Sequence, residues 1–287
     1  MSGVRLRVVD AFTEHPGRGN PAGVVLLEQG DWPPEAWMRS IPVELGLSET
    51  AFVQPLDQAA DADWALRWFT PVVEDDLCGH ATLATAHVIA TDTGWPRTLR
   101  FSTRSGILPV SVGADRAITL NFPAAYATEV PVPDGLTSAL GATAVRTCTT
   151  GALRDLLVVL PEEATVRALT PDLAAIADLT HRDNIRGVTV TAAAASPDAG
   201  YDFVSRFFSP ADGIPEDPVT GSAHTALAPY WAAQLGRNGL VGLQVSARTG
   251  LVHTQVDTER VQLTGRAVTV MDGTWLHGPS PNSADQP

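Results

Sequence analysis

Lysine is missing from this 287-residue chain: all 19 basic residues are arginine, set against 32 acidic ones. No side-chain amine is present to form a Schiff base with pyridoxal phosphate or a carbonyl substrate. Nor can the chain build a P-loop, whose lysine reaches the outer phosphates. Cysteine is scarce, and Cys78 and Cys148 make no disulfide framework, which points to a reducing cytoplasm. No stretch approaches the roughly 20 apolar residues of a membrane span, and the opening "MSGVRLRVVDAF" lacks the apolar core of a signal peptide. A net charge of −13 argues against nucleic acid or an anionic membrane as partner. No H-E-x-x-H, paired C-x-x-C or EF-hand loop occurs, so no metal is expected. The G-x-G-x-x-G fingerprint after a strand and the G-x-S-x-G elbow are also missing.

What is present is a strand-rich chain, 44% apolar and 18% charged. Short apolar runs divided by Gly, Pro or Asp predict strands over 3–12, 22–27, 50–55, 62–69, 98–103, 106–112 and 117–122. The pattern resumes in "AVRTCTT", "DLLVVL", "RGVTVTA", "YDFVSRFF", "LQVSAR", "LVHTQV", "VQLTGR" and "AVTVMD". Four helices are expected: 33–45 with prolines at its start, 170–180 with a Thr cap, and two alanine-rich runs after Gly79 and Gly221. The tail over 278–287 reads as disordered.

The two alanine-rich runs belong to a repeat. Adding 142 to Gly79, Ala81, Ala84, Ala86 and Ala90 gives Gly221, Ala223, Ala226, Ala228 and Ala232. Upstream, "RWFTP" (67–71) answers "RFFSP" (206–210) at an offset of 139. Each half thus carries Arg-aromatic-Phe-hydroxyl-Pro, an acidic loop, a Gly turn and a small-residue helix, which predicts two similar halves. Small side chains let a helix lie deep against curved sheet. The chain divides into an N-terminal half, 1–120, completed by a strand near 266–277, and a C-terminal half, 121–265.

Each Gly turn opens a helix whose first N–H groups are unpaired and whose dipole favours negative charge. Gly79 and Gly221 allow close backbone approach, and Thr220 and Ser222 add hydroxyl donors. Taken singly, Asp217 and Ser222 read better as caps of their own helix than as parts of a site. The doubled arrangement instead suggests an anion site, with both helix starts facing one cleft if the halves are related by a pseudo-two-fold axis. Glu49, between Ser48 and Thr50 at the mouth of an apolar strand, is either a solvated edge charge near pKa about 4.3 or a partly buried acid–base group of raised pKa. His80 in the first helical turn is either structural or a neutral proton relay. His87 lies about 10.5 Å further along the axis, too far to share a metal. Cys78 is a candidate nucleophile or proton carrier, but "DPVTGS" in the second half has no matching thiol. Cys148 reads as a small buried hydrophobe.

With these blocks assembled, the chain resembles the PhzF-like family of phenazine-biosynthesis isomerases and their relatives. The matching stretches are "VVDAFTEHPGRGNPAGVVLL", "LGLSETAFV", "RWFTPVVEDDLCGHATLATAHV" and "EDPVTGSAHTALAPYWA". The resemblance implies an α/β (α+β) fold of the diaminopimelate-epimerase-like type, two β-roll halves each around a central helix. It implies Glu49 as general base, His80 and Asp217 assisting, and Gly79, Gly221 and Ser222 holding the substrate. Ser48, Cys78 and Thr220 join the substrate-binding set. Asn20 of "RGNP" lines the cleft or shapes a turn. No metal or organic cofactor and a homodimer are further implications.

The expected function is a proton-shift isomerase of a small carboxylated metabolite, of the dihydro-3-hydroxyanthranilate type. Two alternatives stay open on the residues alone. One is an amino-acid epimerase working Glu49 or Cys78 against Asp217; the other is a binding protein that keeps the fold without turnover.

Overall fold

The computed structural model describes residues 3–57, 61–95 and 97–279. The described residues fall into two compact units: one within Met1–Gly17, Pro21–Leu120 and Gly265–Pro287, the other within Arg18–Asn20 and Asn121–Thr264. Most of the expected 278–287 tail lies outside the described residues. No described helix is long and apolar enough to cross a membrane.

In the first unit the chain runs β1 (Val4–Ala11), β2 (Asn20–Leu26), α1 (Glu35–Leu45), β3 (Thr50–Pro55), β4 (Trp64–Phe69), β5 (Glu74–Asp75), α2 (Gly79–Thr93), β6 (Arg97–Thr103), β7 (Gly106–Val112) and β8 (Ile118–Pro123). β2 and β3 pair in parallel across α1, and β4 and β6 pair in parallel across α2. The β3–β4, β4–β5, β6–β7 and β7–β8 pairs are antiparallel.

The second unit repeats this plan. It runs β9 (Thr128–Val130), α3 (Leu136–Leu140), β10 (Arg146–Thr149), β11 (Asp155–Val159), α4 (Glu163–Ala168), α5 (Leu173–Arg182), β12 (Gly187–Ala193), β13 (Phe203–Ser209), β14 (Ile214–Asp217), α6 (Gly221–Leu235), β15 (Gly239–Gln244), β16 (Gly250–Asp257) and β17 (Arg260–Gly265). Parallel pairs again bridge the helices, β11 with β12 and β13 with β15. The other pairs are antiparallel, including β9 on β10. The last strand, β18 (Ala267–Trp275), returns to the first unit and pairs antiparallel with β1.

The central helices explain the small-residue runs. In α2 nearly every residue from His80 to Ala90 is buried, and in α6 nearly every one from Gly221 to Ala232. A helix apolar on all sides must be enclosed; α2 is touched by β1, β3, β7 and β18, and α6 by β15 and β16. Their buried hydroxyls bond backward along the helix, Thr82 Oγ1 to Cys78 O at 2.6 Å and Thr85 Oγ1 to Ala81 O at 2.7 Å, so no donor is stranded. The outer faces are covered separately. α1 packs Met38 and Ile41 on Val25, Phe52 and Phe69, while α3, α4 and α5 bury Leu136, Val166, Ile176 and Leu179 on β11, β12 and β13.

One device recurs ahead of both helix starts. Arg67 of β4 forks onto Glu74 of β5 with Nε and Nη2 at 2.8 and 2.7 Å, and its guanidinium stands 5.0 Å over Phe69. Arg206 of β13 forks onto Glu216 of β14 with both bonds at 2.8 Å, 5.0 Å over Phe208. Such planar two-bond pairs fix geometry as well as charge. Glu216 therefore sits before the second helix to clamp a short hairpin, as Glu74 does before the first.

Several local expectations need correction. α5 is capped by Asp172, whose side chain accepts from Ala174 N and Ala175 N, and not by Thr170. α3 and α4, of five and six residues, are too short to show a periodic signal in sequence. The expected strand "LQVSAR" starts four residues earlier, at Gly239.

Two outcomes follow. Arg206→Ala removes the fork and the bond to Leu169 O at 2.8 Å, leaving Glu216 uncompensated, and lowers unfolding free energy by about 3 kcal/mol in urea titrations. The second concerns pH. The imidazoles of His87 and His224 are pushed down to about 4, mainly by burial, with Arg7 and Arg116 adding at His87. Unfolded, each titrates near 6.5, so between these values the unfolded chain binds more protons. The stabilisation is complete above pH about 6.5 and is lost as pH falls toward about 4. The urea midpoint should drop across that window, and His87→Gln should flatten the drop.

Candidate active site

The residues expected at the site form two clusters, one in each unit. In the first, Glu49 ends the connection into β3, and its carbonyl accepts from Gly23 N at 3.3 Å. Cys78 is the extended residue preceding α2, and His80 is the second residue of that helix. His80 Nε2 lies 3.5 Å from Glu49 Oε2, and the two side chains are only 6% and 11% exposed. The other ring nitrogen, Nδ1, is 3.6 Å from Cys78 Sγ. The imidazole thus stands between a thiol and a carboxylate, and the contact at each ring nitrogen constrains the tautomer at the other. Ser48 and Gly79 are half-buried neighbours of this group.

The second cluster is built on the turn from Asp217 to Gly221. Asn20 Nδ2 donates to Asp217 Oδ1 at 2.8 Å and to Val219 O at 3.0 Å. Thr220 Oγ1 donates to Asp217 Oδ2. Gln244, fully buried, grips the same turn: its Nε2 donates to Asp217 O at 2.6 Å, and its Oε1 accepts from Thr220 N at 2.8 Å. His224 Nδ1 meets Thr220 O at 2.8 Å; since that carbonyl can only accept, Nδ1 carries the proton. Both carboxylate oxygens of Asp217 are engaged, which holds the group in one orientation.

The capping alternative does not hold. α6 starts after Thr220 with no side-chain cap, and α2 starts after Cys78 likewise. Ser222 lies inside the first turn, where its Oγ accepts from Arg186 Nη2 at 3.0 Å. Asn20 is fully buried, with its amide hydrogens directed at the 217–219 turn.

Three residues of the second cluster escaped the sequence reading: Gln244, Arg186 and Asp155. Arg186 forks onto Asp155 with bonds of 2.8 and 2.6 Å, and its guanidinium stands 5.2 Å over Phe207. Burial works against both charges and lifts the Asp155 carboxyl above its usual range, while Asp155 holds the guanidinium above its own. No local motif marks these residues, because each acts on a segment at least 24 positions away in sequence.

The strand registers show what each half has placed where. Phe52 pairs with Arg67 in the first unit and Val190 with Arg206 in the second. Counting back three residues, Glu49 corresponds to Gly187 and Ser48 to Arg186. A Cβ at Gly187 would meet the Phe207 ring at 2.3 Å, so that position holds no side chain. At the helix starts Cys78 corresponds to Thr220 and His80 to Ser222. The first half therefore carries carboxylate, imidazole and thiol where the second carries backbone, hydroxyls and a guanidinium.

Known proteins with this plan are numerous. The family model described as phenazine biosynthesis-like protein matches residues 9–273. An uncharacterized isomerase of Pseudomonas aeruginosa is 46% identical over 271 residues, covering 94% of this chain and 97% of its own. The crystal structure of a PhzF-family phenazine biosynthesis protein from Enterococcus faecalis is 41% identical, with a TM-score of 0.85 over 96% of this chain and 99% of that one. A hydroxyproline epimerase from Agrobacterium vitis, 13% identical with a TM-score of 0.61 over 98% and 95% of the two chains, shares the fold alone. The expected α/β fold of diaminopimelate-epimerase-like type is borne out by these neighbours. With a family model spanning nearly the whole chain and close relatives named as isomerases, the chain belongs to the phenazine biosynthesis-like (PhzC–PhzF) family of isomerases.

Proposed function

We propose that the chain isomerises a small carboxylated metabolite by moving one proton, with Glu49 as the base. The observation that carries this reading is the asymmetry of the two halves: a buried carboxylate lies 3.5 Å from His80 in one, and Gly187 stands at the matching position in the other. Inversion at a stereocentre generally uses an acid and a base on opposite faces. A 1,3-shift needs one group that takes a proton and returns it elsewhere.

In the proposed step Glu49, as carboxylate, removes a proton from a carbon beside an unsaturated system. The electron pair left behind spreads over the allylic unit toward the far carbon. The carboxylic acid so formed gives its proton to that carbon, and the double bond has moved with no net change in oxidation. His80 Nε2 steadies the carboxylate and shares the proton in passing. Gly79, Gly221 and Ser222 offer hydrogen-bond donors fixed before the substrate arrives, the type of preorganised stabilisation that costs no reorganisation during reaction. Arg186, placed by Asp155, adds its charge beside Ser222 and suits a carboxylate on the substrate. Asp217 holds the second helix start in shape. A two-base epimerase draws less support: Thr220 replaces the thiol of Cys78, and both oxygens of Asp217 already accept hydrogen bonds.

The test is turnover of dihydro-3-hydroxyanthranilate and related β,γ-unsaturated carboxylates in deuterated water, read by NMR and mass spectrometry. Movement of the double bond, with the label either retained or exchanged at the far carbon, is the expected outcome. Inversion without double-bond movement defeats the proposal. Glu49→Gln should lower kcat by at least about 100-fold while ligand binding persists. Wild-type turnover in that variant would remove Glu49 from its role. Arg186→Met, paired with Asp155→Asn so that no buried charge is stranded, should raise KM by about tenfold with a smaller effect on kcat, since it removes grip present before the transition state.

A further inference from the structure

We infer that Glu49, Cys78 and His80 together form a binding site for a thiophilic divalent cation, zinc foremost, and that its occupancy silences proton transfer. The binding part stands on geometry alone; the silencing part rests on Glu49 being the base.

One donor atom from each of the three side chains lies within 4.8 Å of the other two, and all three residues are buried. The donor set of thiolate, imidazole nitrogen and carboxylate oxygen is one that zinc takes, with bonds of about 2.3 Å to sulfur and about 2.0–2.1 Å to nitrogen and oxygen. For a tetrahedral ion those lengths place sulfur and nitrogen about 3.6 Å apart. Cys78 Sγ and His80 Nδ1 stand 3.6 Å apart before any ion is added. Two corners of the tetrahedron are thus preset by an i, i+2 pair at a rigid helix start. A Glu49 carboxylate oxygen completes the group within 4.8 Å, and rotation of that side chain toward the Cys78–His80 pair closes the third corner. Three protein ligands leave the fourth corner to water or substrate, the pattern of open sites.

Softness supports the choice of ion. A buried thiol beside an imidazole selects zinc, cobalt or copper over magnesium and calcium, which ask for oxygen ligands alone. The charges balance as well: one thiolate and one carboxylate offset a divalent ion, and Cys78 releases its proton on binding. Once one carboxylate oxygen is a ligand, the ion draws charge from the whole group and leaves it a much weaker base toward carbon. No spacing rule reveals such a site, since Glu49 comes from a strand start and the other two from a helix start 29 residues later.

The test titrates cobalt(II) into the full-length, metal-free protein and follows the near-ultraviolet thiolate-to-cobalt charge-transfer band, with zinc as competitor. One equivalent should give the band, zinc should abolish it, and Cys78→Ser should never show it. Glu49→Gln should weaken binding by more than the roughly tenfold that loss of a supporting hydrogen bond costs a metal site. Circular dichroism of both variants confirms that the fold is kept. A missing band in the native protein, or one that survives in Cys78→Ser, overturns the site; survival would locate the thiolate at Cys148. Deuterium exchange measured with zinc, then with a chelator, tests the second part. Exchange should stop and return, and exchange undiminished in the zinc-loaded protein refutes the silencing while leaving the site intact.

Discussion

Both units depend on a helix that is buried on every side. A helix with only alanine, glycine, threonine and a few larger residues lets strands come close, and its buried hydroxyls find partners along its own backbone. Enclosure has a chemical consequence. The start of such a helix emerges at one end of the strands with no side-chain cap, so its polarity is directed by the preceding turn. The Arg–Glu forks Arg67–Glu74 and Arg206–Glu216 each fix a strand residue five positions ahead of the helix start, at Gly79 and Gly221. Any group carried on the turn or in the first helical residues is thereby placed to within a rotamer.

On that shared scaffold the halves have diverged. Duplication supplied two equivalent positions ahead of the strand that follows the first crossover, and the chain uses them differently. One holds Glu49 beside His80; at the other, the close approach of Phe207 to Gly187 leaves room for no side chain. The neighbouring pair shows the same division, Ser48 in one half against Arg186 in the other. The second half thus sets a guanidinium next to Ser222, and the first sets a carboxylate next to His80. Of the two copies, the first alone carries a carboxylate at this position.

The lack of lysine gives these arginines added weight. Every arginine is a planar fork that stays protonated, and three of the less exposed ones are paired with acids: Arg7 with Asp92 and Asp272, Arg206 with Glu216, Arg186 with Asp155. In the first cluster the carboxylate of Glu49 stands beside His80 and Cys78 instead.

The amino-acid sequence by itself determined the fold class, most strands, both central helices and the family, because alternation, small-residue runs and ordered motifs are local signals. It marked Glu49, His80 and Asp217 as chemistry-bearing residues for the same reason. The tertiary structure alone decided that Asn20 supports a turn, that Ser222 receives Arg186, that Gln244 clamps the Asp217–Thr220 turn, and that Glu49, Cys78 and His80 share one pocket of space. Each of those facts is a contact between segments far apart along the chain. No local pattern encodes such a contact; it exists only once strand register has fixed which residues face each other.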